Sequence, residues 1–296
     1  MTLTRSDAAF MTERKSSTLP RAVAFRMVDA MPRIAFRAYL LVFFVYLFAP
    51  LAILAAATFN KSSFPTVSPW LGTTLQWVEA LANDTEMWKA LWSSIVIAAG
   101  VIAISLPTGT AAALVLSSLH GRSRGFFYAL MVSPLLTPGV VIGIATLLFW
   151  RRVGVGGGIG LSILAQSSFI ISFVMLMVAA RLQRFDRTME EAALGLGASR
   201  SYVFRRILLP YLRPSLLAAC CIAFLQSFEN YNTTLFVRGV ETPLTIFIAA
   251  KVRAGLTPAV NALGLAMMLL TIGGAIGWET VRYFRARKKI RAPEIA

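Results

Sequence analysis

The stretch TMEEAALGLGASRSYVFRRILLPYL, Thr188–Leu212, lies between two long apolar runs, yet it is short, mixed in charge and rich in helix formers. Thr188 with Glu191 three residues later has the form of a capping box, in which side chains satisfy the free amides that open a helix. Glu191, Ala192, Ala193 and Leu194 continue that helix with good formers. Gly195 weakens it, and Gly197 is placed to end it, because glycine enters the left-handed conformation of a helix stop at little cost. Ser199 can cap a second helix. On that helix Val203 and Ile207 lie one turn apart, as do Phe204 and Leu208. Pro210 follows it, and Pro214 falls where the next apolar run begins, a position proline tolerates. The spacing thus predicts two short angled helices fixed to the apolar part of the chain. Their apolar ridge serves either as a docking surface or as an amphipathic loop lying on lipid headgroups.

The surroundings of this stretch set the class of protein. Of 296 residues, 57% are hydrophobic and 14% charged, with a mean hydropathy of +0.70. Soluble domains carry about a quarter charged residues. A membrane helix needs about 20 mainly apolar residues, and six stretches meet or approach that length. They are Tyr39–Phe59, Ala90–Ser117, Phe126–Trp150, Ile159–Ala180, Leu212–Phe228 and Val260–Phe284. The fifth is the shortest, because it meets Glu229. Leu244–Ala250 is too short to cross and is placed in a loop. The expectation is one all-α membrane domain over 39–284, with a segment of 38 residues before it and a basic tail over 285–296.

Charge sets the orientation. Of the 29 Lys and Arg, 22 fall in the N-terminal segment, the loop 118–125, the stretch 181–213 and the C-terminal stretch from Arg282, and seven fall in the alternate connections. The positive-inside rule therefore places both termini in the cytoplasm. The same distribution explains the net charge of +16 through anionic lipid rather than nucleic acid. Arg21, Arg26, Arg33 and Arg37 recur among apolar residues before the first span, where an amphipathic surface segment and a solvated tail both fit. The polar length of that segment argues against a cleavable signal peptide. Trp70, Trp77, Trp88, Trp92 and Trp150 fall near the outer span ends, as an interfacial belt would.

Inside the spans, Pro107, Pro134 and Pro138 indicate a packed bundle with kinks, since freed carbonyls need partners in lipid. Gly139, Gly143 and Ala145 permit close helix approach. Cys220 and Cys221 are adjacent within an apolar run, a spacing that suits neither a disulfide framework nor a metal site. No phosphate-binding Gly-x-x-x-x-Gly-Lys-Ser/Thr occurs, and Gly156, Gly157 and Gly158 read as a flexible connector. The single histidine, His120, cannot assemble a triad or a zinc site. No catalytic residues, metal or bound cofactor are expected on this chain. An ionisable group within a span is a functional candidate, and Phe228, Glu229, Asn230 and Tyr231 supply one. Counting about 1.5 Å per residue from Leu212 puts Glu229 in the outer third of the fifth span. There its carboxylate can meet a cationic solute, with the Tyr231 ring offering cation–π contact. Alternatively it snorkels to the interface or pairs with Arg238. Glu279, near the inner end of the last span, is expected to pair with Arg282.

Glu191-Ala192-Ala193, then Gly197, then Ile207-Leu208-Leu209-Pro210, resembles without a gap the EAA loop of ATP-binding-cassette importer permeases. Over about Tyr39–Phe284 the chain also resembles the second permease subunit of the spermidine/putrescine family. That likeness is carried by Phe59-Asn60-Lys61-Ser62, Ser133-Pro134, Leu244-Thr245-Ile246 and Thr257–Leu263. The resemblance implies a type I importer bundle whose segment 186–210 forms coupling helices. It implies docking to an ATP-hydrolysing subunit for Glu191, Ala192, Ala193, Gly197, Ile207 and Pro210. Implied partners are a second homologous permease, two ATP-binding subunits that carry ATP and magnesium, and an extracytoplasmic solute-binding protein, in a bacterial inner membrane. That family commonly carries two adjacent acids where this chain has Glu229-Asn230, so a singly charged or zwitterionic solute also fits. A secondary transporter would leave the coupling segment unexplained, and an intramembrane enzyme would lack its reactive groups.

Overall fold

A computed structural model describes residues 20–255 and 257–291, with side chains for 35–255 and 257–284. Among them the chain is helical, with one isolated bridge between Asn60 and Thr73. The helices are α1 (Pro20–Thr58), α2 (Gln76–Asn83), α3 (Thr85–Ser118), α4 (Gly121–Leu136), α5 (Gly139–Arg152) and α6 (Ile159–Leu182). They continue with α7 (Thr188–Gly195), α8 (Arg200–Val203), a π turn (Phe204–Leu208), α9 (Leu209–Phe228), α10 (Thr234–Val237), α11 (Leu244–Ala254) and α12 (Pro258–Arg291). Helices satisfy their own backbone groups, which is what hydrocarbon demands. Among the described residues five helices are long and apolar enough to cross a membrane, Ala35–Thr58, Thr85–Ser118, Ile159–Leu182, Arg200–Phe228 and Pro258–Phe284, and a bent pair, Gly121–Leu136 with Gly139–Arg152, makes up to six. Large apolar side chains such as Leu41, Phe44 and Tyr46 on α1 are exposed, the arrangement expected of surfaces solvated by lipid.

Three expectations change. The third stretch is two helices, α4 and α5, bent by 100° between Leu136 and Gly139. Pro138 has no amide hydrogen and drives the residue before it toward extended backbone, and Thr137 sits at φ −88°, ψ 128°. Pro134 frees the Leu130 carbonyl one turn earlier, and the Ser133 hydroxyl donates to it at 2.9 Å. The fifth span is longer than its apolar run: α8, the π turn and α9 form one 29-residue helix, Arg200–Phe228. The π turn ends just before Pro210, which would clash with the carbonyl four residues back in an unbroken α-helix. Finally, Leu244–Ala250 belongs to α11 rather than a loop; at 11 residues it remains too short to cross.

The chain divides into two compact units, Leu75–Val260 and Met1–Thr74 with Asn261–Ala296. In the first, α3, α6 and α9 pack around Ile97, Val101, Ile170, Val174, Met175 and Leu212. Gly109 lets α3 and α6 close: a Cβ there would lie 2.7 Å from Cβ of Val174 and 2.9 Å from the Ile171 carbonyl oxygen. In the second, the loop after α1 is organised by buried Asn60. Its amide nitrogen donates to the carbonyls of Thr66 (2.8 Å) and Pro69 (3.0 Å), and its oxygen accepts from Leu71 N–H at 2.9 Å. Glu279 and Arg282 form the expected exposed pair on α12, at 3.7 Å. Residues 1–19 and 292–296 lie outside the described residues, as do the side chains of Arg21, Arg26 and Arg33.

Candidate functional site

A cavity of about 360 Å³ opens where α9 ends. The helix break at Thr137-Pro138 supplies one wall, Phe169 and Phe173 of α6 a second, and Glu229, Tyr231 and Thr233 a third. The last wall is built by local chemistry. The Asn230 side-chain oxygen accepts from Thr233 N–H (3.2 Å), Thr234 N–H (3.3 Å) and the Thr234 hydroxyl (3.1 Å), which turns the chain into α10. Asn230 thus acts as a cap, and its oxygen is engaged even though the residue lines the cavity. Buried Gln166 holds the same turn from α6: its amide donates to the Thr234 hydroxyl at 2.7 Å and its oxygen accepts from the Ser227 hydroxyl. The polar group of Gln166 is thereby satisfied inside an otherwise apolar span. Its presence in that span was the signal that sequence reasoning passed over.

α5 reaches the turn because two of its residues lack side chains. A Cβ on Gly139 would lie 2.9 Å from the Thr233 hydroxyl oxygen, and one on Gly143 would lie 2.7 Å from the Thr233 carbonyl oxygen. The glycine run before α6 has the same use. Gly158 N–H donates to the Val237 carbonyl at 2.8 Å, and a Cβ on Gly157 would fall 2.7 Å from the backbone nitrogen of Gly239. That run is a packed crossing of backbones rather than the flexible connector expected from its composition.

Glu229 is exposed and lines the cavity. Among the described residues its carboxylate has neither a hydrogen-bond donor nor an ion-pair partner. Arg238, the expected alternative partner, donates instead to the Glu241 carbonyl at 2.6 Å. Tyr231 also lines the cavity, and its hydroxyl accepts from the Arg253 guanidinium at 3.0 Å. Arg253 on α11 was not singled out in the sequence. Phe228 turns away: it stacks on Phe224 with ring centroids 5.4 Å apart and faces a narrow crevice beside Ser94 and Gln166. A carboxylate in an open cavity that Phe169, Phe173 and Tyr231 also line can hold an ammonium group by charge, with ring attraction available from the same walls.

The segment between α6 and α9 forms a second constellation. Asp186, not Thr188, opens α7: its carboxylate accepts from the Thr188 hydroxyl (2.8 Å) and from Thr188 N–H (3.0 Å). These two bonds hold the Asp186 carboxyl below its ordinary range. The capping box read from Thr188 and Glu191 is therefore replaced by an aspartate turn, because the earlier acid reaches the free amides first. The helix stop is as expected. Gly197 has φ +86°, Ala198 N–H donates to the Ala193 carbonyl and Gly197 N–H to the Leu194 carbonyl, each at 3.0 Å. This pair of bonds is the Schellman pattern. Ser199 caps α8 through Tyr202 N–H at 3.3 Å.

The segment is tied down at both ends. Arg187 donates to the Ser117 carbonyl at the end of α3, at 2.7 Å. Arg181 lies 4.2 Å over the Tyr211 ring, and the Tyr211 hydroxyl donates to the Arg181 carbonyl at 3.2 Å. The exposed apolar surface differs from the ridge expected. Of the expected ridge Phe204 is exposed, Val203 is buried and Ile207 and Leu208 are half-buried, while Met189, Leu194, Leu196 and Tyr202 also face outward, Leu196 with 90% of its surface. The reason is that α8 continues into the fifth span and turns its inner face to the bundle. Glu191, Ala192 and Gly197 lie on the exposed side, Ala193 is half-buried, and Ile207 and Pro210 sit at the root of the span.

Residues 105–277 match the family model of the binding-protein-dependent transport system inner membrane component. The putrescine transport system permease protein PotI of Escherichia coli K12 is 35% identical over 250 residues, 81% of this chain and 86% of its own. The spermidine/putrescine transport system permease protein PotC of Haemophilus influenzae is 30% identical over 238 residues, 79% and 91% of the two chains. In structure, a bacterial ABC transporter that imports the acidic polysaccharide alginate superposes with a TM-score of 0.63 at 14% identity, covering 87% of this chain and 97% of that one. An amino acid ABC transporter superposes with a TM-score of 0.53 at 16% identity, over 71% and 100%. Those two likenesses concern the fold, that of ABC importer permeases. The matched span takes in the broken α4–α5 pair, the tied-down segment after α6 and the Glu229 cavity, and the chain belongs to the binding-protein-dependent transport system inner membrane component family.

Proposed function

We propose that the chain is one permease subunit of an ATP-driven importer for polyamines of the putrescine and spermidine type. The observation that carries the solute class is the Glu229 carboxylate, without a partner among the described residues, in a cavity that Phe169, Phe173 and Tyr231 also line, on a chain related to PotI and PotC. Tyr231 and Phe169 line the same cavity, and aromatic rings attract the methylene and ammonium groups of such a solute. The coupling reading rests on the exposed apolar projection of Met189, Leu194 and Leu196, held on two spans by Arg187 and Arg181. A projection fixed in this way transmits movement of an attached ATP-binding subunit to α3 and α9, where a loose loop would absorb it. Two such subunits, carrying ATP and magnesium, a second homologous permease and an extracytoplasmic solute-binding protein complete the assembly. Both termini face the cytoplasm of a bacterial inner-membrane system.

A second reading keeps the importer and changes its cargo to a singly charged or zwitterionic solute. It is favoured by Asn230, whose oxygen is spent on the turn, and by Arg253, which brings a guanidinium to Tyr231. Uptake of labelled putrescine and spermidine by cells expressing the whole transporter, with ATPase activity of the purified complex in parallel, separates the two. Saturable uptake dependent on the binding protein supports the polyamine reading. An active ATPase without polyamine uptake refutes it and turns the search to solutes that need one acid.

A further inference from the structure

A second cleft, of about 510 Å³, lies where α3 ends, α4 begins and α6 ends, and shares no lining residue with the Glu229 cavity. Leu116, Leu176, Ala179 and Ala180 make its apolar walls, Tyr128 lines it from α4, and Arg124 and Gln183 bring polar groups to it. None of the lining residues is acidic. The first turn of α4 holds no acid either, and His120, Arg122 and Arg124 are exposed in sequence beside the cleft. Neither Arg122 nor Arg124 enters an ion pair among the described residues. Arginine at a helix start is the unfavourable end for a cation, so this corner carries uncompensated positive charge over an apolar hollow.

We propose that the cleft is a binding site for one anionic phospholipid, its phosphate on Arg124 and an acyl chain along Leu116, Leu176 and Ala180. The loop between α3 and α4 is short and basic, so it sits at the level of lipid headgroups. A phosphate there is the anion this corner lacks, and basic pockets between membrane helices at such a level take anionic headgroups. Arginine suits phosphate through paired donors. The volume falls within the range of ligand pockets. The rival occupant is a helix of a second permease subunit, since Gly121 and Gly125 present the small surface helices use for close approach. Such a helix would cover the Arg124 guanidinium with apolar surface, whereas the lipid brings the opposite charge.

The test is native mass spectrometry of the purified full chain titrated with phosphatidylglycerol or phosphatidylcholine. Phosphatidylglycerol should give a saturable single adduct that phosphatidylcholine does not match. Arg124→Gln should weaken it by about fivefold, the worth of one basic residue at an anionic headgroup. Gly125→Leu should remove the adduct by filling the cleft; a Cβ at Gly125 meets no atom within 4 Å, so folding, checked by circular dichroism and gel filtration, should be kept. If Gly125→Leu does not fold, Ala180→Phe replaces it. Equal binding of both lipids overturns the proposal, as does wild-type affinity in both variants. Loss of a co-purifying second permease from Gly125→Leu, with phosphatidylglycerol binding unchanged, overturns it in favour of the helix.

Discussion

Gly143→Ala adds one methyl group and should disturb the transporter more than its size suggests. The new Cβ would stand 2.7 Å from the Thr233 carbonyl oxygen, 3.3 Å from its Cα and 3.4 Å from its carbonyl carbon. All three atoms are backbone, so no side chain can rotate aside. Carbon atoms rest about 3.5–4.0 Å apart, and α5 must therefore retreat from the turn by roughly 1 Å. Forcing an extra methyl into such packing costs about 1–3 kcal/mol. The retreat also moves Gly139 and Ile142, which line the Glu229 cavity. Gly160→Ala on α6 is the control, since a Cβ there meets nothing within 4 Å. It should be neutral or stabilising by about 0.4–1 kcal/mol, through the loss of unfolded-state freedom. Thermal unfolding of both variants in detergent, with solute uptake in cells, makes the comparison. Equal melting temperatures and equal uptake for the two would refute the close approach of α5 to Thr233, and with it the wall that the broken span lends to the cavity.

Glu229→Gln should raise the half-saturating solute concentration by about tenfold, the low end of a charge-assisted hydrogen bond in a solvent-exposed setting, while leaving assembly intact. An unchanged titration would make Glu229 a surface acid. Gln166→Leu should leave the Thr234 and Ser227 hydroxyls without their shared partner and cost about 1–2 kcal/mol in a membrane interior, read as lowered thermal stability; wild-type stability would deny the bridge. Gly197→Val places a branched side chain at φ +86° and should uncouple ATP hydrolysis from uptake while insertion persists; normal coupling would remove the docking role from α7. Asp186 contributes to the start of α7 with its carboxylate charged. Because its folded value is depressed, that contribution is complete above the ordinary aspartate value and fades as pH falls through the lowered one. Protection of the Thr188 amide, its exchange rate set against that of an unstructured amide at the same pH, should fall in acid below about pH 4 and stay level in Asp186→Asn; parallel behaviour of the two would show that the carboxylate does not hold the turn.

Much of this protein is legible in local sequence. Most of the spans are, because hydrocarbon imposes length and apolarity on each segment separately; the 100° break in the third and the added length of the fifth are not. Gly197 and Ser199 are, because a helix stop and a cap depend on neighbours within five residues. The salt bridge of Glu279 and Arg282 is one helical turn long and could be read in the same way. Errors began where two nearby signals competed. Asp186 displaced Thr188 as the opener of α7, and Pro210, taken as the end of a short helix, marks only a π turn within a longer one.

The cavity itself belongs to the tertiary structure. Gln166, Ser227 and Thr234 are 61 and 68 residues apart along the chain from the first of them, and nothing local says that their hydroxyls and amide will meet. Gly139, Gly143 and Gly157 mark close approaches, but composition cannot name the backbone approached. Phe228 and Tyr231 are three residues apart, and only the turn capped by Asn230 decides that Tyr231 faces the cavity and Phe228 does not. Sequence alone determined the class, the unbroken spans and the helix stop and cap at Gly197 and Ser199, since each follows from forces acting within a turn or across one membrane thickness. Which carboxylate is left free, and what surrounds it, was decided by packing between distant segments, where the sum of many weak contacts selects one arrangement.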